Sequence, residues 1–331
     1  MTRPPISPRL AAAAAALLAL VLIPGSAQAV SGAPARPAAP RAAAAAIVSR
    51  GQAAGRAVPA CNPDDPLHPT GSLRPAGPPA VTPGSLMARI RARGYLIAGV
   101  DLTLFHLSYQ NPLDGQIEGF NIDMLHAISA AIFGSPDRIR FVSLQDAARL
   151  PAVESGAVDV VAQPTTVTCA RLRLVDFSTV YITTHQRVLV LDDSRVTNIG
   201  QLGGQRVCGV IGAGSFAELQ ALAKAPPHIV PVGKPYWTDC LVALQQGTVA
   251  AVSGDDAILA GLAAQDADTR MVGPTIVAKP QGLALPASHP EFVRFVNAVL
   301  AQWRADGGWA ASYARWIGRP VPAPPPVRYA D

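Results

Sequence analysis

The fold is decided most directly by residues 158–171, which read VDVVAQPTTVTCAR. The run from Val158 to Ala162 is short and mostly apolar, as expected of a buried strand in a parallel sheet. It is followed by Pro164 to Thr168 and then by Arg171, which place three hydroxyl groups and a guanidinium just past the strand. Ligands bind at the carboxyl ends of strands in open α/β sheets, and a guanidinium fork matches a carboxylate bidentately. The segment therefore predicts an anion-binding turn, with a merely solvated turn as the alternative.

Strand and helix signals alternate on both sides of this segment, which predicts an α/β fold. Strands are expected at residues 96–100, 139–142, 158–162, 188–191, 206–211, 229–232 and 249–252. Helices are expected at residues 147–155, 215–224, 238–246, 291–305 and 309–316. Asn121 is expected to cap one more helix, which Gly134 ends. Two α/β units of similar size suggest two lobes with a cleft between them.

Two further predicted strands also end in candidate ligand-binding residues. One is followed by the turn Gly212 to Ser215, whose backbone N–H groups form either an anion cradle or a plain strand–helix turn. With Ala217 this turn fits a dinucleotide fingerprint, but no acidic residue follows the next strand, as that motif requires. The last strand is followed by Asp255 and Asp256; we expect Asp256 to cap a helix and Asp255 to meet an ammonium group. An arginine, an anion cradle and an aspartate together suit a zwitterion.

The start of the chain has the features of a signal peptide. Arg3 and Arg9 precede an apolar stretch, as in the positively charged start of a signal peptide. The Ala-Gln-Ala sequence that follows this stretch predicts cleavage after Ala29 and export from the cytoplasm. Since no cysteine directly follows the apolar stretch, a lipid anchor is not expected. Residues 30–85 are rich in Ala and Pro and predict a loosely ordered extension, and residues 319–331 predict a shorter Pro-rich tail.

The net charge of +5 is a local property, because the seven arginines and two aspartates before residue 86 account for all of it. The neutral remainder argues against nucleic acid as a partner, which requires a clustered basic face. The six histidines are scattered and form no catalytic motif, and neither a cofactor nor a metal is predicted.

The four cysteines fit no metal or redox spacing, and an even number in an exported chain favours disulfides over four buried thiols. Cys208 falls on a predicted strand and Cys240 on a predicted helix of the same lobe, so we expect them to pair. By elimination, Cys61 then pairs with Cys169, which would attach the extension to the first lobe near the binding turn.

Several segments together resemble the family of solute-binding proteins for polar amino acids in ABC uptake systems, over residues 86–318. The segments that carry the resemblance are Gly119 to Asp123, Ser155 to Asp159, Thr166 to Arg171, Val175 to Tyr181, Asp306 to Trp309 and Tyr313 to Trp316. Cys240 to Gln246 resembles in particular actinobacterial glutamine- or glutamate-binding proteins. The resemblance implies a periplasmic-binding-protein type II fold with two Rossmann-like lobes joined by a two-strand hinge. Lobe 1 would comprise residues 86–185 with 280–318, and lobe 2 residues 186–279.

The same resemblance implies which residues bind the backbone groups of an amino acid. Arg171 would hold the α-carboxylate. The backbone amides of Gly214 and Ser215 would close on that carboxylate from the second lobe. The α-ammonium group would meet Asp255 together with two groups of the binding turn, the Thr166 side chain and the Pro164 carbonyl.

The ligand side chain would be read by Asp101 and Arg149, by the same resemblance. Arg149 favours a distal carboxylate, as in glutamate, whereas Asp101 and Asp146 would repel a carboxylate but accept hydrogen bonds from an amide. If Asp146 neutralises Arg149, the pocket no longer favours a distal carboxylate, and ligands with a side-chain amide gain affinity relative to acidic ones. The expected ligands are glutamate or glutamine first and aspartate or asparagine next, and a cationic amino acid is least expected.

The implied activity is capture of a free amino acid by hinge closure about residues 182–187 and 276–281, followed by delivery to the membrane permease of an ABC transporter. Such a protein would act as a monomer. A ligand-sensing subunit for a membrane receptor is the alternative, and a dehydratase-like enzyme on the same fold is a weaker one, because the chain shows no catalytic motif.

Overall fold

The computed structural model describes residues 60–65 and 69–331, all of which belong to one unit of the chain. The predicted signal peptide, its cleavage site after Ala29 and the first half of the extension lie outside the described residues. The helices are α1 (Leu86–Arg93), α2 (Phe120–Phe133), α3 (Arg149–Glu154), α4 (Gly214–Lys224), α5 (Trp237–Gln245), α6 (Asp256–Ala263), α7 (Pro290–Ala305) and α8 (Gly308–Trp316). In this part of the chain, no helix combines the length and apolarity needed to cross a bilayer.

The strands form three sheets, of which the two larger ones carry the site. The strands are β1 (Leu96–Val100), β2 (Thr103–Leu104), β3 (Ser108–Gln110), β4 (Ile117–Glu118), β5 (Ile139–Ser143), β6 (Val160–Val161), β7 (Asp176–Phe177), β8 (Ile182–Leu191), β9 (Arg206–Val210), β10 (Val230–Lys234), β11 (Ala251–Asp255), β12 (Thr269–Gln281) and β13 (Ala284–Leu285). The smallest sheet is the antiparallel set β2–β3–β4.

The first sheet has the strand order β5-β1-β6-β13-β7. Its strands β5, β1 and β6 are parallel, so the residues that follow them emerge at one edge of the sheet. The apolar face of β1 shares one hydrophobic cluster with α2 and α7, which explains why all three have fully buried Leu, Ile, Val or Phe side chains. This packing fixes the edge at which Asp101 and Gln163 begin their loops.

The second sheet has the order β10-β9-β11-β8-β12, with β9, β10 and β11 parallel and β8 and β12 antiparallel to their neighbours. Strands β8 and β12 connect the two sheets and pair from Ile182↔Gln281 to Gln186↔Val277. Where β8 begins and β12 ends, the two segments of chain that pass between the sheets are hydrogen-bonded to each other, from the Tyr181 backbone N–H to the Gln281 carbonyl at 3.0 Å. Both strands lie wholly in the second sheet, and the lobe boundaries at residues 185/186 and 279/280 stay predictions.

Helix α2 corrects one expectation about helix capping. The residue that precedes the helix is Gly119, whose φ of +134° and close approach to the Leu107 carbonyl leave no room for a Cβ, which would lie 2.4 Å from that oxygen. Asn121 lies inside the first turn and is fully buried, and its side-chain atoms have no hydrogen-bond partner among the described residues. The expectation that Asn121 caps the helix is therefore wrong, whereas Gly134 ends the helix in the left-handed conformation, as predicted.

The described part of the extension is docked on the protein and joined to the Pro-rich tail. Ser72 pairs with Tyr329 in a parallel bridge, and its hydroxyl donates to the Phe177 carbonyl at 2.7 Å. The Asn297 amide donates to Ser72 and to the Leu73 carbonyl, both at 2.7 Å. Residues 69–85 are thus held by specific hydrogen bonds, in contrast to the loose order expected from their composition.

Two disulfides join distant parts of the chain. Cys208 on β9 is bonded to Cys240 on α5 with an S–S distance of 2.09 Å, and Cys61 is bonded to Cys169 with an S–S distance of 2.06 Å. These are the two pairs expected from the sequence. The second pair attaches the extension to the turn that carries Arg171.

Candidate functional site

The binding turn predicted after β6 is held against the end of β12. The Val167 backbone N–H donates to the Pro280 carbonyl at 2.8 Å, and Thr166 forms an isolated antiparallel bridge with Gln281. Arg171 begins a single 3-10 turn, and its guanidinium folds back to donate to the Thr166 carbonyl at 2.9 Å. This arrangement holds the guanidinium next to the end of β12, which with β8 forms the pair of strands (the hinge strands) that connects the two sheets.

Arg171 also reaches across to the second sheet, where its Nη2 donates to the Gly212 carbonyl at 3.1 Å. Gly212 has a φ of +89°, and a Cβ at this position would lie 2.6 Å from the Cα of Ala147. Only glycine permits this approach of the two segments without strain. The turn that precedes α4 is therefore in direct contact with the first sheet's binding turn.

The turn predicted as an anion cradle leads into α4 and lies beside the binding turn. A Cβ at Gly214 would lie 3.4 Å from the Thr166 hydroxyl oxygen, so the Gly214 backbone is next to the binding turn. Ser215 is buried, and its carbonyl accepts a hydrogen bond from Gln186 at 3.1 Å. The start of α4 is thus next to the binding turn, and a role of the Gly214 and Ser215 N–H groups toward a ligand stays a prediction.

Arg149 is almost completely buried, with 2% of its surface exposed. Its Nη1 donates to Asp146, with which it forms an ion pair, and to the Pro164 carbonyl at 2.9 Å. Its Nη2 donates to the Gly212 carbonyl at 3.2 Å, the same oxygen that Arg171 uses. The ion pair corresponds to the alternative in which Asp146 neutralises Arg149 and amide ligands gain. A direct role of Arg149 toward a ligand side chain stays a prediction.

Asp255 ends β11 and precedes α6, but its side chain makes no capping hydrogen bond. Its Oδ2 accepts instead from the Thr184 hydroxyl at 2.9 Å and from the Gln281 amide at 2.7 Å. Asp256 accepts from the backbone N–H groups of Ala257 and His185, at 2.8 and 3.1 Å. The expectation that Asp256 caps the helix is wrong, because Asp256 is the first residue of α6, and its Oδ2 also lies 3.2 Å from Nδ1 of His185. Asp255 instead accepts from side chains of β8 and β12.

Asp101 follows β1 and is also buried. Its Oδ1 accepts from the backbone N–H and the hydroxyl of Thr103, at 2.9 and 2.7 Å. In the parallel register of β1 and β6, Gly99 is opposite Val161, so Asp101 and Gln163 leave the sheet side by side. Asp101 thus joins the same edge as the binding turn.

Arg149 and Arg171 share the Gly212 carbonyl as acceptor, and Arg149 also donates to Asp146, so these charged groups form one cluster. Burial, and next the neighbouring charge of Arg149, lower the pKa of Arg171 to about 9, while Asp146 and Asp255 act in the opposite direction. Burial raises the pKa of Asp255 to about 6 against the hydrogen bond from Thr184. At neutral pH the cluster therefore presents a protonated guanidinium and an ionised carboxylate.

Burial also raises the pKa of Asp101 to about 6, against two hydrogen bonds from Thr103. The negative charge of Asp146 raises it further, and the positive charge of Arg149 lowers it. The pKa of Asp101 therefore depends on the ion pair between Arg149 and Asp146. Arg149 shares the Gly212 carbonyl with Arg171, so these charged residues lie close together.

Five buried polar side chains of this region were missed by the sequence reasoning: Gln163, Tyr181, Thr184, Lys279 and Gln281. Lys279 is 4% exposed, and its ammonium group is 3.3 Å from Glu218 on α4. The hydroxyl of Tyr181 is buried without a hydrogen-bond partner in the described part of the chain. Burial alternates along β8 from Ile182 to Arg187, but the polar residues Thr184 and Gln186 occupy buried positions, so a polar–apolar pattern could not reveal them.

The chemistry available in this cluster is that of charge complementation. Arg149 is already paired with Asp146, whereas within the described ranges Arg171 donates only to backbone carbonyls and Asp255 accepts only from the neutral side chains of Thr184 and Gln281. All four cysteines of the chain are disulfide-bonded. Among the residues that the structure describes, no three Asp, Glu, His or Cys side chains are grouped as metal ligands would be. The arrangement suits a small molecule that carries a carboxylate and an ammonium group together.

Comparisons with known proteins agree with the resemblance found in the sequence. The model for bacterial extracellular solute-binding proteins, family 3, matches residues 96–319. The chain is 31% identical over 234 residues to the ABC transporter glutamine-binding protein GlnH of Bacillus subtilis (strain 168), across 70% of this chain and 84% of that protein. It is 27% identical over 213 residues to the glutamate-binding protein GluB of Corynebacterium glutamicum, across 61% and 71% of the two chains.

Solved structures match the fold. The crystal structure of the ancestral amino acid-binding protein AncCDT-1, a precursor of cyclohexadienyl dehydratase, superposes with a TM-score of 0.63 at 27% identity. The match covers 70% of this chain and 99% of that one. The predicted family resemblance and the predicted two-lobed α/β fold are thereby confirmed.

Proposed function

Because this chain belongs to the bacterial extracellular solute-binding proteins of family 3, we propose that it binds a free polar amino acid outside the cytoplasm and delivers it to an ABC transporter. The observation that carries the proposal is that Arg171 and the buried Asp255 are linked through Gln281: Arg171 donates to the Thr166 carbonyl, Thr166 pairs with Gln281, and the Gln281 amide donates to Asp255. Both charges of an amino acid are costly to bury unless each is paired and hydrogen-bonded. A guanidinium and a carboxylate in one cluster meet that requirement.

In the proposed pose, Arg171 binds the α-carboxylate in place of the Gly212 carbonyl that it now contacts. The backbone N–H groups of Gly214 and Ser215 close on the same carboxylate. Their position at the start of α4, beside Thr166, supports this assignment.

The ammonium group of the ligand pairs with Asp255 and donates to the Thr166 hydroxyl and the Pro164 carbonyl. Asp255 suits this role because both of its present hydrogen-bond donors, Thr184 and Gln281, are neutral. Neither donor compensates its negative charge, so a ligand cation can do so. Lys279 lowers the pKa of Asp255 but is ion-paired with Glu218.

The proposed ligand order is glutamine, then glutamate, then asparagine and aspartate. Neutralisation of Arg149 by Asp146 removes the cation that a distal carboxylate would require, which favours an amide. Two relatives, a glutamine-binding and a glutamate-binding protein, support a five-carbon amino acid as the ligand.

The remaining parts of the proposal concern location and partners. The protein is exported by a signal peptide that is cleaved after Ala29, it acts as a monomer, and its macromolecular partner is the membrane permease. We also propose that it has no catalytic activity, since its relatives are binding proteins. The ancestral neighbour is described as a precursor of a dehydratase, so activity assays belong with the ligand screen.

The experiment is a calorimetric screen of the purified chain that begins at Val30, with glutamine, glutamate, asparagine, aspartate, arginine and histidine. Saturable one-to-one binding of glutamine or glutamate is expected. Tight binding of arginine or histidine, with no heat from glutamine or glutamate, would contradict the ligand assignment. No binding of any amino acid would contradict the function itself.

A further inference from the structure

Gln163 directly follows the short strand β6 and is fully buried, with 0% of its surface exposed. Its Nε2 donates to the Asp146 carboxylate oxygen Oδ1 at 2.8 Å. Its Oε1 is buried and has no hydrogen-bond partner among residues 60–65 and 69–331. One half of this amide is thus satisfied and the other half is not.

The orientation of the Gln163 amide follows from the chemistry of its partner. An ionised Asp146 can only accept hydrogen bonds, and it already accepts from Arg149. The NH₂ group of Gln163 must therefore face Asp146, because the opposite orientation would set an amide oxygen against a carboxylate oxygen. Oε1 is consequently fixed as an unpaired acceptor within the cluster that contains Arg149 and Asp146. Buried acceptors without a donor are rare, and such an atom points to a missing donor.

We propose that Gln163 is a specificity-determining residue, whose Oε1 accepts a hydrogen bond from the side-chain NH₂ group of an amide ligand and thereby selects glutamine over glutamate. The inference rests on the proposed function, because it assigns one contact within the same site. A side-chain carboxylate has no hydrogen to donate to Oε1 and would leave this acceptor unpaired. A site that hydrogen-bonds a donor on its ligand discriminates strongly against analogues that lack it.

The charged residues near Gln163 also favour an amide ligand over an acidic one. To pair with Arg149, a ligand carboxylate would have to displace Asp146, leaving a buried charge without its partner. Asp101 emerges from the sheet next to Gln163 and adds a second carboxylate at this edge. An amide NH₂ group has two hydrogens, which match one amide acceptor and one carboxylate acceptor.

The test compares the dissociation constants of glutamine and glutamate for the wild-type protein and Gln163→Met, which keeps the length of the side chain and removes its polar atoms. Wild type is expected to prefer glutamine, and Gln163→Met to lower that preference by about tenfold, mainly through weaker glutamine binding. Gln205→Met is the matched control, because Gln205 is exposed, and it should leave both constants unchanged. An unchanged glutamine-to-glutamate ratio in folded Gln163→Met would overturn the inference.

A second measurement uses only the wild-type protein, so it does not depend on the folding of a variant. The γ-methyl ester of glutamate is neutral and keeps the side-chain carbonyl, but it has no N–H to donate. It should bind about tenfold more weakly than glutamine. Equal binding of the ester and glutamine would overturn the role of Gln163 while leaving the proposed function intact. Failure of the protein to bind any amino acid would instead remove both.

Discussion

The guanidinium of Arg149 forms a buried ion pair with the carboxylate of Asp146, three residues earlier in the chain. Removing one partner of such a pair leaves an uncompensated buried charge, which costs about 3–5 kcal/mol of stability. Arg149→Met should therefore lower the free energy of unfolding by that amount, as measured by urea denaturation. The double variant Arg149→Met/Asp146→Leu should recover part of the loss.

The control for this prediction is an ion pair of the same kind at the surface. Arg315 lies 3.9 Å from Glu118 with most of its side chain exposed, so Arg315→Met should cost at most about 1 kcal/mol. If Arg149→Met and Arg315→Met destabilise the protein equally, the buried pair does not have the structural role assigned to it.

Gly212→Ala should weaken ligand binding because the added Cβ prevents the approach of the α4 turn to the first sheet. The new atom would lie 2.6 Å from the Cα of Ala147. This clash would push the turn away and break the hydrogen bond from Arg171 to the Gly212 carbonyl. Gly247→Ala separates this effect from backbone strain. Gly247 also has a positive φ, +64°, but a Cβ there meets nothing within 4 Å. Calorimetry should show weaker binding for Gly212→Ala alone, and equal effects of both variants would refute this explanation.

Ligand affinity should depend on pH through the buried carboxyls. Burial raises the pKa of Asp255 and of Asp101 from 3.8 to about 6, and Asp255 must be ionised to pair with an ammonium group. Affinity should be constant between pH 7 and 8 and fall by about tenfold per pH unit below pH 6 for one proton taken up. A calorimetric series from pH 5 to 8 tests this, and affinity that is level down to pH 5 would contradict it.

The same two groups should change the stability of the unliganded protein in the opposite sense. Their pKa values are higher in the folded protein than the ordinary value of 3.8, so the folded state binds these protons more tightly. The stabilisation by protonated Asp101 and Asp255 is fully present below pH 3.8 and is lost as the pH rises through about 6. In Asp255→Asn the contribution of Asp255 to this pH dependence should disappear from the unfolding curves, while that of Asp101 stays.

The two disulfides should differ in their sensitivity to reduction. Cys208 and Cys240 are fully buried, whereas Cys61 and Cys169 are partly accessible to solvent. Mild reduction should therefore open Cys61–Cys169 first, as read by peptide mapping of alkylated thiols. Replacing Cys208 and Cys240 together by Ala should cost about 2–4 kcal/mol. Alkylation of Cys208 or Cys240 ahead of Cys61 would contradict the assigned burial.

Strands with clear apolar runs were predictable from the sequence, and β1 has the predicted bounds of residues 96–100. Strand β12 was expected only in its second half, at residues 276–281, where the resemblance implies a hinge crossing. Local rules missed the rest because Gly273 and Pro274 are typical of the ends of strands. The structure accommodates them at a sheet edge, through a shift of register between Val272 and Val277. Its pairing partner β8 is about 90 residues earlier, so no local signal reveals the pairing.

The candidate site was predictable where chemistry coincided with the end of a strand, as for Arg171 and Asp255. The partners of these residues were not predictable in the same way. Gln163 and Gln281 become parts of the site only because distant strands bury them beside Asp146 and Asp255. Burial of a polar residue depends on long-range packing, which the local sequence does not determine.

The measurement that tests the central claim most directly is calorimetric titration of glutamine into wild type, Arg171→Ala, Asp255→Asn and the control Arg173→Ala, whose side chain is exposed two residues after Arg171. Wild type and Arg173→Ala should bind glutamine equally. Arg171→Ala and Asp255→Asn should remain folded and each lose about 3–5 kcal/mol of binding free energy, a loss of two orders of magnitude or more in affinity. Less than a tenfold loss in both variants would contradict the assignment of Arg171 and Asp255 to the two charges of the ligand.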